Sequence, residues 1–400
     1  MVLYQKIFRS KDIPLNISHF LDHFVMLIFA KAAFDSAIFF GIKYAEIILY
    51  GTLGLILFGA AAPVASILAE RYSRRLMFCI FPLGVGCSSI LAGLSQNLMQ
   101  LGISLSLIGL FASIYHPVGI AMLMKNKGNL GFRLGLNGVW GNMGVAAAPL
   151  ITGLLIIMGN WRFAFVVPGI ICLLFGCWLI YSKYNEEEFS QKVQGNIDFE
   201  TFSNGWKMAM LALVFITVAG GFTFGALTFL IPRYFEVYLT QISENVAFTG
   251  LLAAGVYGIA SFSQIVSGWV IDRRDYRRVL LFIGLGQIIF IYSASQTENF
   301  MLLFTIIFGM AFVFGQIPIG DAILSAYIPD KYRSQFLSIK FLLNLCIGAM
   351  ILPFTSILLT IGYELNFLFL ILSSVPVLVV LGAVILPVRE IREITEKPRP

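Results

Sequence analysis

Charge is scarce in this chain. Only 12% of its 400 residues are Asp, Glu, Lys or Arg, against 58% that are hydrophobic, whereas soluble domains carry about 25% charged residues. A soluble chain of this size would have to hide nearly every helix face, which surface-to-volume scaling forbids. The sequence also lacks a nucleotide-binding loop, a spacing of metal ligands and a nucleophile–base arrangement. These absences exclude an enzyme reading and predict no cofactor and no bound metal. Cysteine is sparse: Cys79, Cys87, Cys172, Cys177 and Cys346 all lie inside apolar runs, without zinc spacing, and read as reduced core thiols rather than disulfides. The first 14 residues are polar and basic, and no small-residue cleavage site follows a short apolar region, so no cleavable signal peptide is expected.

What is present is apolar length. A bilayer crossing needs about 20 apolar residues. That ruler finds twelve spans, at 15–34, 46–69, 76–95, 99–124, 135–158, 161–183, 207–232, 246–271, 278–295, 301–326, 335–360 and 366–387. Connections are short except 184–206, a polar stretch with Glu186-Glu187-Glu188, Gln191, Lys192, Asp198 and Glu200. It reads as a cytoplasmic linker between an N-terminal six-helix bundle (1–183) and a C-terminal six-helix bundle with tail (207–400). The expected fold class is an all-α membrane protein.

The net charge of +6 does not point to nucleic acid, because the basic residues occupy short loops between apolar runs rather than one helix face. Placing the N-terminus inside puts Lys6, Arg9, Lys11, Lys125, Lys127, Arg133, Lys331, Arg333 and the tail from Arg389 to Arg399 in the cytoplasm. The opposite loops keep only Lys43, Arg162 and Arg233 near their ends. That asymmetry predicts cytoplasmic N- and C-termini in an inner membrane.

The same grammar occurs twice. Ser66-Ile67-Leu68-Ala69-Glu70-Arg71-Tyr72-Ser73-Arg74-Arg75 follows span 2, and Gly268-Trp269-Val270-Ile271-Asp272-Arg273-Arg274-Asp275 follows span 8. Glu70 and Asp272 are offset by 202 residues, as are Lys31 and Arg233, while Pro117-Val118-Gly119 and Pro318-Ile319-Gly320 are offset by 201. Agreement of separate features on one offset predicts two homologous halves related by a pseudo-twofold axis. Transporters built from repeats hold substrate near the midplane, between the repeats.

A charged side chain at the centre of a bilayer helix costs roughly 2.5–3.5 kcal/mol on insertion scales, so it usually faces a cavity. In span 1, His19, Asp22 and His23 stand at i, i+3 and i+4, one helix face. A carboxyl beside two imidazoles can take up and release a proton, so Asp22 is the first proton-coupling candidate, with His23 tuning it and His19 beside it or at the interface. Asp321, three residues past Pro318 in span 10, is a second, with an ion pair to Lys331 or Lys340 as its structural alternative. Lys340, well inside span 11, is a cavity candidate. His116 precedes Pro117, whose ring frees a backbone carbonyl, and can serve that carbonyl or a substrate. Lys31, Arg162 and Arg233 can snorkel to headgroups or, facing the central cleft, attract anions. Gln316, Asn137, Trp140, Asn142 and Asn344 offer hydrogen bonds and an aromatic surface to a cavity, or hold helices together. Pro117, Gly119, Pro149, Pro318 and Gly320 mark hinge candidates or close packing.

These residues resemble the major facilitator superfamily over essentially the whole chain: twelve spans as six plus six, a central linker and a charged loop after spans 2 and 8. The family's loop reads Gly-x-Leu-Ala-Asp-Arg-x-Gly-Arg-Arg. Here Ser66, Glu70 and Ser73 replace the first glycine, the acid and the second glycine, while Arg71, Arg74 and Arg75 stand as expected. The second copy keeps Gly268, Asp272 and Arg273. The resemblance implies that Glu70, Arg71, Arg74, Asp272 and Arg273 latch the cytoplasmic helix ends in the outward-open state, Glu70 near span 11 and Asp272 near span 5. It also implies that spans 4 and 10 act as gates. Gly144, Ala148, Pro149, Thr152 and Gly153 resemble the antiporter signature of span 5, with close helix packing as the alternative. Ser18-His19-Phe20-Leu21-Asp22-His23 and Tyr115-His116-Pro117 are similar to the fosmidomycin-resistance-like efflux branch.

The expected function is a secondary active transporter, driven by an ion gradient, that exports a small organic compound against inward proton flow. Uptake of an organic anion or metal-chelating metabolite is the alternative. A receptor that borrowed the fold is a third reading, disfavoured by the lack of a sizeable soluble domain. Partners expected are the substrate, protons and membrane lipid, with a monomer as the working unit and no nucleic acid. A cysteine placed after residue 388 should react with a membrane-impermeant maleimide only in inside-out vesicles; labelling of intact cells would overturn the orientation.

Overall fold

The computed structural model describes residues 12–125, 130–182, 202–271 and 273–387. Asp272, most of the expected linker and the terminal lysines and arginines lie outside them. The described residues form helices and no strand. Eleven helices are long and apolar enough to cross a membrane, and the pair Tyr44–Ala60 and Ala62–Arg71, bent by 45°, makes a twelfth span. Long apolar side chains such as Leu53, Ile67, Leu174, Ile265 and Phe282 are exposed on the outside of the bundle, as a surface bathed in lipid requires.

Several spans differ from the expected ruler. Span 1 runs Ile13–Phe40 rather than ending at 34. Pro14 sits in its first turn, where a missing N–H costs nothing. Gly41, at φ 67°, ends it by turning back to the carbonyls of Ala37 and Ile38. The extra turns hold Asp35 and Ser36, just past Lys31; this stretch looks like a helix end in sequence, but Lys31 and Ser36 are bonded inside the protein. Span 7 likewise extends as Trp206–Tyr238, past Arg233 and Glu236.

Other spans are broken. Span 2 bends at Ala61, with Pro63 in the first turn of the second piece. Span 4 divides into Leu98–Ala112 and Tyr115–Lys125, span 8 into Val246–Ser261 and Ser263–Ile271, and span 11 into Asp330–Ala349 and Ile351–Ile361. Span 12 is Leu365–Leu372 and Val377–Ile385, interrupted before Pro376. Spans 5 (Leu130–Met158) and 10 (Asn299–Tyr327) run through Pro149 and Pro318 without a break, so the hinge expected at these two prolines is not a break in either helix. Pro117 does lie next to one, two residues into the second piece of span 4.

The breaks decide where the halves touch. Thr52–Ala60 packs against Asp330–Ala349, Leu130–Met158 against Val246–Ser261, and span 1 against span 7. The second pieces, Ala62–Arg71 and Ser263–Ile271, pack within their own halves. One apolar core therefore runs through both halves at the end holding Lys31, joining Phe29 to Phe229 and Leu352. At the end carrying Arg71–Arg75 and Arg273–Arg278, called the basic end below, the C-terminal half keeps a separate core around Ile216, Ile283, Ile319 and Val379. Among the described residues, the halves are fused at one end and parted at the other.

Close approach at the fused end depends on small residues. A Cβ on Gly250 would lie 2.4 Å from the Pro149 carbonyl oxygen, and one on Gly153 would lie 3.0 Å from that of Val246. Gly144 lies similarly against the backbone of Phe20 in span 1. The antiporter-like residues of span 5 are thus packing contacts here. Within the N-terminal half, a Cβ on Gly109 would fall 1.8 Å from the Gly54 carbonyl oxygen. Gly109→Ala should therefore destabilise the protein by about 1–3 kcal/mol, read as a lower unfolding midpoint in detergent, while Gly255→Ala, with nothing within 4 Å, leaves it unchanged or slightly raised.

Candidate substrate cavity and its gates

A cavity of about 230 Å³ lies at the seam, lined from both halves. The N-terminal half contributes His19, His23, His116, Gly138 and Asn142; the C-terminal half contributes Thr217, Phe224, Gln264, Gln316, Asp321, Lys340, Phe341 and Asn344. The helix register explains the selection. His19 and His23 are one turn apart on span 1, Gly138 and Asn142 one turn apart on span 5, and Lys340 and Asn344 one turn apart on span 11. Asn142, Gln264 and Asn344 make no hydrogen bond to a described residue, so their amides are free for a ligand.

All three histidines of the chain meet here. Each offers one ring nitrogen, and these lie within 4.8 Å of one another. The His19 ring stacks on Tyr115 at 4.9 Å and is edge-on to His116 at 5.3 Å. Behind them is a fixed polar network. His19 Nδ1 is 2.8 Å from the Asn137 carbonyl oxygen, so Nδ1 is the protonated nitrogen and Nε2 carries the lone pair. Asn137 Nδ2 donates to Asn16 Oδ1 at 2.9 Å and to the Tyr115 hydroxyl at 2.9 Å, and that hydroxyl donates to the Leu15 carbonyl at 2.9 Å. Asn137 is buried and positions His19 rather than lining the cavity. His116 is remote in sequence from His19 and His23, and the fold brings the three rings together.

Asp22 does not share the cavity face expected for it. It is fully buried, with its Oδ2 3.4 Å from His116 Nε2, and neither carboxyl oxygen makes a hydrogen bond. The distance and geometry make this a contact without a hydrogen bond. Trp140 is half-buried and outside the lining. On the other wall, Lys340 Nζ reaches Asp321 Oδ1 at 2.5 Å, the ion pair anticipated as the structural alternative for Asp321. A Cβ on Gly320 would stand 3.0 Å from Lys340 Nζ, so this glycine, expected as a hinge, leaves room for the lysine. Gln316 donates to the Ile216 carbonyl at 2.9 Å and accepts from Gln287 Nε2 at 2.8 Å.

Lys31 and Arg233 are corrected more strongly. Neither lines the cavity. Lys31 is buried and crosses the seam, donating to Glu236 Oε1 at 2.5 Å and Thr249 Oγ1 at 3.0 Å. Arg233 donates to Glu236 Oε2 at 2.9 Å and lies over the Phe34 ring at 3.4 Å from its centroid. Asp35 adds its field to the cluster. The signal missed in sequence was Glu236, an acid one turn beyond Arg233, in helix assumed to have ended. Arg162 also turns away from the cleft: it donates to the carbonyls of Gly93 and Ser95 at 2.8 and 2.7 Å, closing the end of span 3.

The basic end holds no corresponding lock among the described residues. Glu70 and Arg71 are exposed, and Glu70 makes no ion pair with a described residue. Arg75 donates to the Ile180 carbonyl at 3.3 Å, and Arg273 to that of Trp269 at 2.9 Å, each within its own half. Arg74 begins span 3, capped by Ser73. Among the described residues, Glu70, Arg71, Arg74 and Arg273 make no ion pair across the halves, and Ala62–Arg71 and Ser263–Ile271 pack within their own halves; Asp272 lies outside the described residues. Lys31→Met should leave Glu236 with Arg233 as its sole partner among the described residues and destabilise the sealed end by about 1–3 kcal/mol, the loss of a hydrogen bond to a charged group. Lys31→Met with Glu236→Leu should recover part of that loss, both read from detergent unfolding midpoints.

A family model described as Major Facilitator Superfamily matches residues 15–260 and 237–400. A multidrug resistance protein MdtG of Yersinia enterocolitica is 28% identical over 209 residues, covering 50% of this chain and 49% of that protein. A nitrate/nitrite transporter NrtP of Nostoc punctiforme is 24% identical over 241 residues, covering 56% and 45%. The chain thus spans about half the length of the curated relatives it matches. The inward-open structure of the xylose transporter XylE from E. coli superposes with a TM-score of 0.73 at 15% identity, covering 95% of this chain and 96% of that one, which shows the shared fold. With the match running across both bundles and the helices arranged accordingly, this multi-pass membrane chain belongs to the Major Facilitator Superfamily.

Proposed function

We propose that the chain is a secondary active transporter of a small organic compound, working by alternating access in an inner membrane with both termini cytoplasmic. One observation carries this reading: a cavity lined by both halves, with the seam sealed at the Lys31–Glu236–Thr249 end and parted at the basic end. The excess of Lys and Arg at that parted end supports assigning it to the cytoplasm. Exchange of closure between ends, with 1–183 and 207–400 moving as the two bodies, would expose the cavity to each side in turn.

Proton-coupled efflux is the leading direction, supported by the partial likeness to multidrug resistance proteins. Asp321 suits the coupling role better than Asp22. Its carboxyl faces the cavity and half of its side chain is exposed, whereas Asp22 is sealed behind His116. A proton on Asp321 releases Lys340; an ionised Asp321 holds it. Substrate and proton then compete for one pair of groups, which is what antiport requires. Uptake of an organic anion is a second reading, favoured by the Lys340 ammonium as counter-charge.

Transport of a compound panel into inside-out and right-side-out vesicles, under an imposed pH gradient, tests direction and coupling together. Asp321→Asn should abolish gradient-driven accumulation while leaving exchange intact. Lys340→Gln should weaken an anionic substrate by about tenfold or more, the loss of one charge-assisted contact. Accumulation by Asp321→Asn at the wild-type rate would overturn the coupling assignment, and no gradient-dependent flux of any compound would overturn the transport reading.

A further inference from the structure

The cavity wall opposite Lys340 is built unlike the rest. Its side chains are the three imidazoles, backed by a buried carboxyl with no hydrogen bond on either oxygen. We propose that His19, His23 and His116, supported by Asp22, bind a divalent first-row transition-metal ion of the kind that favours imidazole, such as Co²⁺, Ni²⁺, Cu²⁺ or Zn²⁺.

Four features converge on that assignment. His19 and His23 stand at i and i+4 on one helix face, a spacing that lets two imidazoles share an ion. The ring of His19 is already set for ligation: its Nδ1–H is committed to the Asn137 carbonyl at 2.8 Å, so the lone pair is on Nε2. Metal-bound histidines commonly hold their second nitrogen in this way. Gly141 lies against the face of that ring: a Cβ there would be 2.6–2.8 Å from Nε2, Cε1 and Cδ2, so the glycine admits the imidazole to its position. Finally, Asp22 is buried at 0% exposure without a hydrogen bond, a costly state for a carboxylate that a cation next to it would relieve.

The geometry needs a small adjustment. Nitrogens about 2.0–2.1 Å from a tetrahedral ion lie about 3.3 Å apart, against the 4.8 Å envelope here. His23 and His116 make no hydrogen bond to a described residue, so turning their rings inward breaks none. Three imidazoles leave at least one coordination position open toward the cavity, where an oxygen or nitrogen donor of an organic anion would complete the shell. The site stands whichever compound is carried, and its test uses no transported compound, so either reading can fail without the other.

The experiment is a titration of the full chain in detergent, purified without a polyhistidine tag, with Co²⁺ followed by visible absorption and with Ni²⁺ by calorimetry. One ion per chain is expected, with a ligand-field band of imidazole-bound Co²⁺. His23→Gln and His116→Gln should each weaken binding by at least about tenfold and abolish the band in the double variant. On the unaltered chain, Ni²⁺ should protect all three histidines from diethyl pyrocarbonate. Absence of saturable binding, equal affinity in the double variant, or unchanged histidine modification in the presence of Ni²⁺ would overturn the proposal.

Discussion

The arrangement rests on one bond across the seam, the Lys31 ammonium against the Glu236 carboxylate. In a low-dielectric interior a lone ammonium is prohibitive. Lys31 therefore has its carboxylate only when spans 1 and 7 are held together at that end, whereas Glu236 keeps Arg233 on its own helix. Thr249 extends the contact to span 8, and Arg233 keeps Glu236 doubly neutralised while lying on Phe34. Fusing the apolar cores around Phe29, Phe229 and Leu352 follows from that closure. So does the shape of the cavity: with one end fused, the bends at Ala61 and Phe262 leave the inner helix pieces on their own halves and part the other end.

Much of this was legible in sequence because it depends on composition and period. Apolar runs of bilayer length gave the spans, and repeated charged loops gave the halves. Cavity residues were found where the sequence put a polar group deep in an apolar run: His19, His23, His116, Asn142, Gln316, Asp321, Lys340 and Asn344 line the space. What failed was depth at the helix ends. A lysine, an acid and a serine near residue 31 resemble the margin of a membrane, and only the other half of the protein shows that they are interior. Glu236, outside the assumed end of span 7, was missed for the same reason. Face assignment also failed at Asp22, because an i, i+3, i+4 set covers an arc wide enough for its members to meet different neighbours.

The two halves have taken on different chemistry on a common frame. The N-terminal half presents imidazoles, backed by an amide and tyrosine network around Asn137. The C-terminal half presents an ammonium–carboxylate pair with amides and aromatic rings. Backbone differs in parallel: span 4 is broken just before His116, whereas its counterpart, span 10, runs unbroken through Pro318 and carries Gln316 and Asp321 on one rigid rod.

Under the proposed alternating access, the seal at Lys31 also sets a resting population. Opening that end separates a buried pair, and every 1.4 kcal/mol by which the pair favours closure depletes the alternative form about tenfold. If the net preference is about 2.8 kcal/mol, about one molecule in a hundred exposes the cavity at the Lys31 end when empty. A compound arriving from that side then binds with an apparent affinity reduced by the same factor, while one arriving from the basic end meets a cavity already open. The pair thus makes the two faces of the protein unequal in avidity, before any gradient acts.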